Sequence, residues 1–309
     1  MNNIRTRIQK NRDLREITLD YYMRNLKKLN DNKDFENLDF LTNKENIKQI
    51  IKDFQPSTRR GYYVSAIVAL KTEPEKYKEE INYYSDILSK LNQEINDFLK
   101  TNEKTPKQAK NMVSLRLLLK KQREYKNKIS NKLLNEKTNF TPSEKKLVKQ
   151  YLIASLFTLQ PPIRLDYSPM KIIRDKSLDN GEDNYLYVRG KNKKEFIFNS
   201  FKTSNSKGKT TMKVLPPLNK VINLWLKVNK TDNFIPNSRG GELSSNSLGK
   251  LIPTVFDIAD KHITLNTIRH IYITDKIDID AVKREEDKKA KLAAQMLHSV
   301  SMQKQYAKK

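Results

Sequence analysis

Arg164, Lys202, Arg269, His298 and Tyr306 are the side chains whose types and order could carry a reaction. Two of only three histidines, an arginine within an apolar helical pattern and a late tyrosine all fall between Thr264 and Tyr306. The sequence shows no Gly-rich nucleotide loop, no Ser-His-Asp order and no carboxylate cluster suited to a pair of metal ions. What remains is a set of cations and a phenol. That set suits attack of a tyrosine oxygen on a phosphodiester, a reaction that needs neither metal nor ATP. Two forked guanidiniums can hold the non-bridging oxygens and offset the charge that builds in the transition state. A lysine can protonate the leaving 5′ oxygen, and a histidine can hold an equatorial oxygen. A phenol ionises near pH 10 when unperturbed, so the tyrosine has to lose its proton during the attack.

Composition points to the same class of partner. The chain of 309 residues has 61 Lys and Arg against 36 Asp and Glu, a formal charge of +25. Such an excess repels itself unless a polyanion neutralises part of it, and nucleic acid is the first candidate. No apolar run has the length of a membrane span, and the first residues carry no apolar signal-peptide core. The expectation is therefore a soluble, intracellular protein without a membrane partner. With no cysteine, a disulfide scaffold and a thiolate zinc site are excluded.

The elements that must position these residues read mainly as helices. Apolar side chains recur at helical spacing over residues 12–29. A second helix starts after Asn43 as N-cap and stops before Pro56, and a third is capped by Ser57 or Thr58 with Arg59 and Arg60 in its first turn. Two arginines at a helix start oppose the macrodipole unless an anion meets them, so Thr58, Arg59, Arg60 and Tyr63 together read as a DNA contact. A long charged helix follows over residues 75–99, then a linker at 101–106 and a basic amphipathic helix over 112–134. Thr141-Pro142-Ser143-Glu144 opens an apolar helix that runs to Leu159. Short strands at 185–188, 195–198 and 211–215 predict a small antiparallel sheet, with the lysine-bearing segment 199–209 as a hairpin between the last two. Helices over 218–228, 247–259, 266–277 and 281–297 complete an α+β chain that is mainly α.

Arg164 after an apolar helix, a lysine in a β-hairpin, Leu265-x-x-x-Arg269-His270 opening a helix, Leu297-His298-Ser299 and the late Tyr306 resemble the tyrosine recombinase (phage-type integrase) family. The stretch Gln160-Pro161-Pro162-Ile163-Arg164-Leu165-Asp166-Tyr167 is similar to integrase-like proteins of eukaryotic DNA viruses and mobile elements. The resemblance implies a helical core-binding, DNA-gripping domain with its linker over residues 1–105. It implies a catalytic domain over 106–309, with 141–309 as its core. Arg164 and Arg269 would be the two catalytic arginines, and His298 would stand beside the phosphate. Tyr306 would be the nucleophile that forms a 3′-phosphotyrosine. Lys202 is the choice for general acid, with Lys207 and Lys209 as rivals, because strand register is not readable from sequence. The family usually places histidine or lysine three residues before the second arginine, where this chain has Asn266, a hydrogen-bond donor that cannot shuttle a proton at neutral pH. His270 points about 100° away from that position on a helix. The step of eight residues from His298 to Tyr306 is one shorter than the family's usual interval. Asp166 could orient Arg164, with a helix-start role as the alternative, and His262 is given no role.

By resemblance, the expected activity is site-specific recombination or integration with no cofactor and no small-molecule substrate. The expected partner is double-stranded DNA, bound by a homo-tetramer on two sites, in the nucleus or in a cytoplasmic viral factory. Two alternatives stay open: a type IB topoisomerase-like relaxing enzyme, and a degenerate DNA-binding protein derived from a recombinase, which Asn266 favours.

Overall fold

The computed structural model describes residues 2–129 and 139–306. The chain divides into two compact units, Met1–Glu103 and Lys104–Lys309.

The first unit is helical: α1 (Asn2–Asn11), α2 (Glu16–Leu29), α3 (Lys44–Ile51), α4 (Pro56–Leu70) and α5 (Lys78–Thr101). Ile4 and Ile8 lie one turn apart on α1 and are fully buried, as are Leu26 and Leu29 of α2. Burial of four such side chains stabilises the unit by about 1.5–3 kcal/mol each before entropy is counted. The apolar pattern over 12–29 therefore resolves into a break at 12–15 followed by α2, and α1 is an additional helix. The Asn43 side chain accepts from Asn46 N at 3.1 Å and caps α3. Helix α4 begins at Pro56 and not after Ser57 or Thr58, because proline's fixed φ and missing N–H suit the first helical position. Arg59 consequently closes the first turn and Arg60 opens the second. Tyr84 of α5 is buried, and its hydroxyl donates to Leu41 O at 2.6 Å.

The second unit is α+β. It runs α6 (Pro106–Asn111), α7 (Leu115–Lys128), α8 (Pro142–Leu156), β1 (Met170–Ile173), β2 (Asn184–Val188), β3 (Lys194–Phe198), α9 (Ser204–Lys207), β4 (Thr210–Lys213), α10 (Pro216–Val228), α11 (Ser245–Val255), α12 (Leu265–Lys276), α13 (Ile279–Gln295) and α14 (Val300–Tyr306). Of the helix expected over 112–134, residues 130–134 lie outside the described residues. Thr141 and Glu144 form a reciprocal capping box at the start of α8, with Thr141 N donating to Glu144 Oε2 at 2.8 Å and Pro142 at the first position. The sheet has the order β1-β2-β3-β4, with β1 parallel to β2 and the other pairs antiparallel. It is mixed, not purely antiparallel as expected. Strand β1 has only four residues and no apolar–polar alternation, so it reads as loop until its parallel partner is seen.

Leu186 and Phe196 turn one face of the sheet into the main core, to which α8 and α10, packed against each other, also contribute. Tyr185, Ile197 and Ile173 form a smaller cluster on the other face. Trp225 of α10 anchors the connection after that helix, its indole N–H donating to Phe234 O at 2.7 Å. The second unit ends in α13 and α14, neither of which contributes to the main core. Among the described residues no helix is long and apolar enough to cross a membrane.

Candidate active site

Arg164 is exposed in the segment between α8 and β1. The segment is anchored by Tyr167, whose ring is fully buried and stands edge-on to Phe196 at 5.0 Å and to Phe157 at 5.8 Å. Gln160 donates its amide to the Tyr167 hydroxyl at 2.8 Å, and burial pushes that phenol's pKa well up. Ser245 at the start of α11 donates to Ser168 O at 2.6 Å and pins the exit. An aromatic anchor and two polar ties thus fix a turn whose backbone would otherwise be free.

Arg269 lies on α12, which begins with Thr264 accepting from Thr267 N at 3.2 Å. Ile268 and Ile271 bury the inner side of this helix and leave Arg269 half-buried. Asn266, one turn before Arg269, is exposed. His270 turns elsewhere, its Nε2 lying 3.2 Å from the Gln108 amide nitrogen of α6. The exposed His262 is held through its backbone, its N–H donating to Asn111 Oδ1 at 2.7 Å.

The two arginines, far apart in sequence, act on one carboxyl. Burial pushes the pKa of Asp166 above its ordinary value, and the charges of Arg164 and, more weakly, Arg269 work against that rise. The charge of Arg269 thus acts on Asp166 as well, where sequence reasoning raised this carboxyl only as a partner for Arg164.

Lys202 is exposed and precedes the helical turn α9, which replaces the simple hairpin expected between β3 and β4. Lys207 is also exposed, whereas Lys209 pairs with Asp179, a carboxylate that also accepts from the Asn199 amide at 2.7 Å. Asn184, the first residue of β2, ties the arginine and lysine segments together. Its amide nitrogen donates to Asp166 O at 3.1 Å and to Ser200 O at 2.9 Å. Its oxygen accepts from Asn199 N at 3.0 Å and Ser200 N at 2.9 Å. One side chain thus holds the backbone two residues after Arg164 against the backbone two residues before Lys202. Nothing in the sequence marks this asparagine among the chain's many.

His298 and Tyr306 form a second constellation. Helix α13 ends where Leu297 takes a φ of 52°, and His298 N bonds Ala293 O at 3.1 Å across the reversal. The His298 ring stacks on Tyr306, with centroids 5.7 Å apart and planes 29° from parallel. His298 Nδ1 lies 3.0 Å from Ser299 O, and since a carbonyl only accepts, Nδ1 is the donor of that contact. The His298 Nε2 is buried and has no hydrogen-bond partner among the described residues. Tyr306 is 64% exposed. Among the described residues no hydrogen bond or ion pair joins this pair to Arg164, Lys202 or Arg269.

In the first unit, Thr58 and Arg60 are exposed, and Arg60 Nε donates to Asn92 Oδ1 at 2.6 Å. Arg59 is half-buried, and its Nε has no hydrogen-bond partner among the described residues. Tyr63 departs from its expected place at the surface. It is 4% exposed and packs at 5.7 Å from Tyr84, because α4 is apolar from Tyr63 onward and turns this ring into the core. Burial raises its phenol pKa, with Arg59 and Lys48 opposing the rise.

Sequence reading did not single out Arg116, Lys120 and Arg123, which share one exposed face of α7 at steps of four and three. Among the described residues no group of three His, Asp or Glu side chains comes together as a metal site. Compared with protein-family models, with curated proteins and with solved structures, the chain matches none.

Proposed function

We propose that this chain cleaves and rejoins double-stranded DNA through a 3′-phosphotyrosine on Tyr306, as a site-specific recombinase or integrase of the tyrosine type. The observation that carries the reading is the Asn184 side chain, which ties the Arg164 segment to the Lys202 segment through Asp166 O and Ser200 O, while the charges of Arg164 and Arg269 both act on Asp166. In this reading the two guanidiniums hold the scissile phosphate through their forked N–H groups and stabilise the charge that develops on it.

In the forward step the Tyr306 oxygen bonds to phosphorus as the bond to the 5′ oxygen breaks. The phenolic proton leaves to solvent, and Lys202 supplies the proton that the departing 5′ oxygen takes up. Arg164 and Arg269 stabilise the pentacoordinate charge. His298 Nε2 can meet an equatorial oxygen once the imidazole is protonated. Attack of a second 5′ hydroxyl on the phosphotyrosine reverses the sequence and frees the tyrosine, so bond energy is conserved without ATP. Thr58, Arg59 and Arg60 of the first unit grip the duplex backbone. Strand exchange of this kind works on two DNA sites in a homo-tetramer, which the mass of the DNA-bound assembly would read.

The test is a nicked duplex carrying a site from the protein's own genome, incubated in EDTA and run on a denaturing gel. A covalent adduct is expected with the unaltered chain and none with Tyr306→Phe. An adduct that persists in Tyr306→Phe would remove this tyrosine from the mechanism. Relaxation of supercoiled plasmid without strand exchange would move the reading to a type IB topoisomerase-like enzyme.

One observation favours a second reading. Asn266 is exposed one turn before Arg269, where a proton-transferring side chain would serve, and an amide cannot fill that role. A DNA-binding protein without cleavage follows from it. Tight, salt-dependent binding with no adduct, and an adduct gained in Asn266→His, would establish that reading.

A further inference from the structure

The turn between β2 and β3, Arg189-Gly190-Lys191-Asn192-Lys193, has two of its carbonyls facing inward, onto an ammonium. Lys194 is 3% exposed, and its Nζ donates to Lys191 O at 2.8 Å and lies 3.3 Å from Gly190 O. Asn219 and Asn223, one turn apart on α10, complete the shell with their side-chain oxygens at 2.8 and 2.6 Å. Their amide nitrogens each donate to Lys191 O at 3.0 Å. A buried ammonium is costly unless its protons are all taken, and here the acceptors are sufficient.

The consequence lies on the outer side. The peptide bonds that follow Gly190 and Lys191 are trans, so each N–H points opposite to its carbonyl. With both carbonyls turned onto Lys194, the N–H groups of Lys191 and Asn192 point to solvent. Neither has an acceptor in the protein among the described residues. Residues 189–193 are all exposed, which sets the Arg189, Lys191 and Lys193 side chains around those two donors. Successive outward N–H groups with cations beside them form a concavity for a tetrahedral anion.

We propose that the β2–β3 turn is a phosphate-binding tip that takes a backbone phosphate of DNA, outside the reacting centre. The identity of the anion rests on the DNA reading above; the donor geometry does not. The Lys194 ammonium and the Asn219–Asn223 pair hold the loop in the binding form before the anion arrives.

Two measurements test it. With the lysine and asparagine amides labelled in the full chain, inorganic phosphate is titrated against chloride at constant ionic strength. The Lys191 and Asn192 amides are expected to shift and saturate. Separately, the salt dependence of duplex binding is measured for a Lys191→Gln, Lys193→Gln double variant, whose log–log slope is expected to fall by about one to two. Amides that do not move, or a slope that does not change, overturn the proposal. Absence of a covalent adduct with the unaltered chain defeats strand cleavage and leaves this contact standing, so the two failures are separable. Lys194→Met keeps every exposed charge of the turn and should weaken duplex binding several-fold. Unchanged binding in a variant whose melting shows it folded would also overturn the proposal.

Discussion

Replacing Asn184 by alanine tests whether the arginine and lysine segments form one unit. The side chain is 6% exposed and makes four hydrogen bonds, two as donor and two as acceptor, all to main chain. A net hydrogen bond stabilises a fold by about 0.5–1.5 kcal/mol, and leaving its buried partner unsatisfied costs more. Water can reach part of the 199–200 segment, so the sum for Asn184→Ala is about 2–4 kcal/mol. In a unit of this size that lowers the melting temperature by about 5–15 °C. The informative assay is adduct formation on the nicked duplex, run well below the variant's melting point. Cleavage should fall at least tenfold even when the protein is fully folded, because Lys202 loses its place relative to Arg164. Asn184→Asp retains both acceptor contacts and sets a carboxylate against Asp166 O and Ser200 O, so it should be no better than alanine. A folded Asn184→Ala variant that cleaves at the original rate would refute the argument and reduce this residue to a clamp within the sheet.

Three further substitutions have signs that follow from single observations. Folding favours the protonated form of Asp166, because burial raises its carboxyl above the ordinary 3.8. Its contribution to stability is present below that value and is lost as pH rises through the raised one. Asp166→Asn should therefore raise the melting temperature at pH 7, with the gain shrinking toward pH 4, and a lower melting temperature at pH 7 would show that the two arginines outweigh burial. Leu297 is 94% exposed and holds a φ of 52°, so Leu297→Gly removes backbone strain without removing packing. A gain of up to about 1 kcal/mol, read as slower proteolysis between α13 and α14, is expected, and faster proteolysis would contradict it. Thr141→Ala breaks the capping box of α8 and should cost about 1 kcal/mol in chemical denaturation, with unchanged stability as the contrary result.

The candidate residues stand out in the sequence by type and order, and the elements that carry them begin with local signals. Thr264 before α12 and Thr141-Pro142 before α8 are such signals, and the structure uses both. Where local signals are weak, the elements were missed. Helix α1 has only Ile4 and Ile8 as its buried apolar side chains in a polar run, and packing decides its conformation. Strand β1 is made a strand by β2, fourteen residues on, and α14 is a short helix of only seven residues.

The residues that position the site were hidden for a different reason. Asn184 and Lys194 look like two more members of a chain crowded with asparagine and lysine, and their roles lie in which backbone groups come to them. A side chain that satisfies four main-chain groups, or an ammonium that turns two carbonyls inward, acts through partners that adjoin it only after folding. Both occupy the first position of a strand, where the incoming loop must be fixed before the ladder begins. A buried polar residue at a strand's first position, bonded to the main chain of the adjoining loop, is thus where that loop's geometry is decided. In this protein the exposed cations proposed to act on DNA, Lys202 in one loop and Arg189, Lys191 and Lys193 in another, each belong to a loop that such a residue ties down.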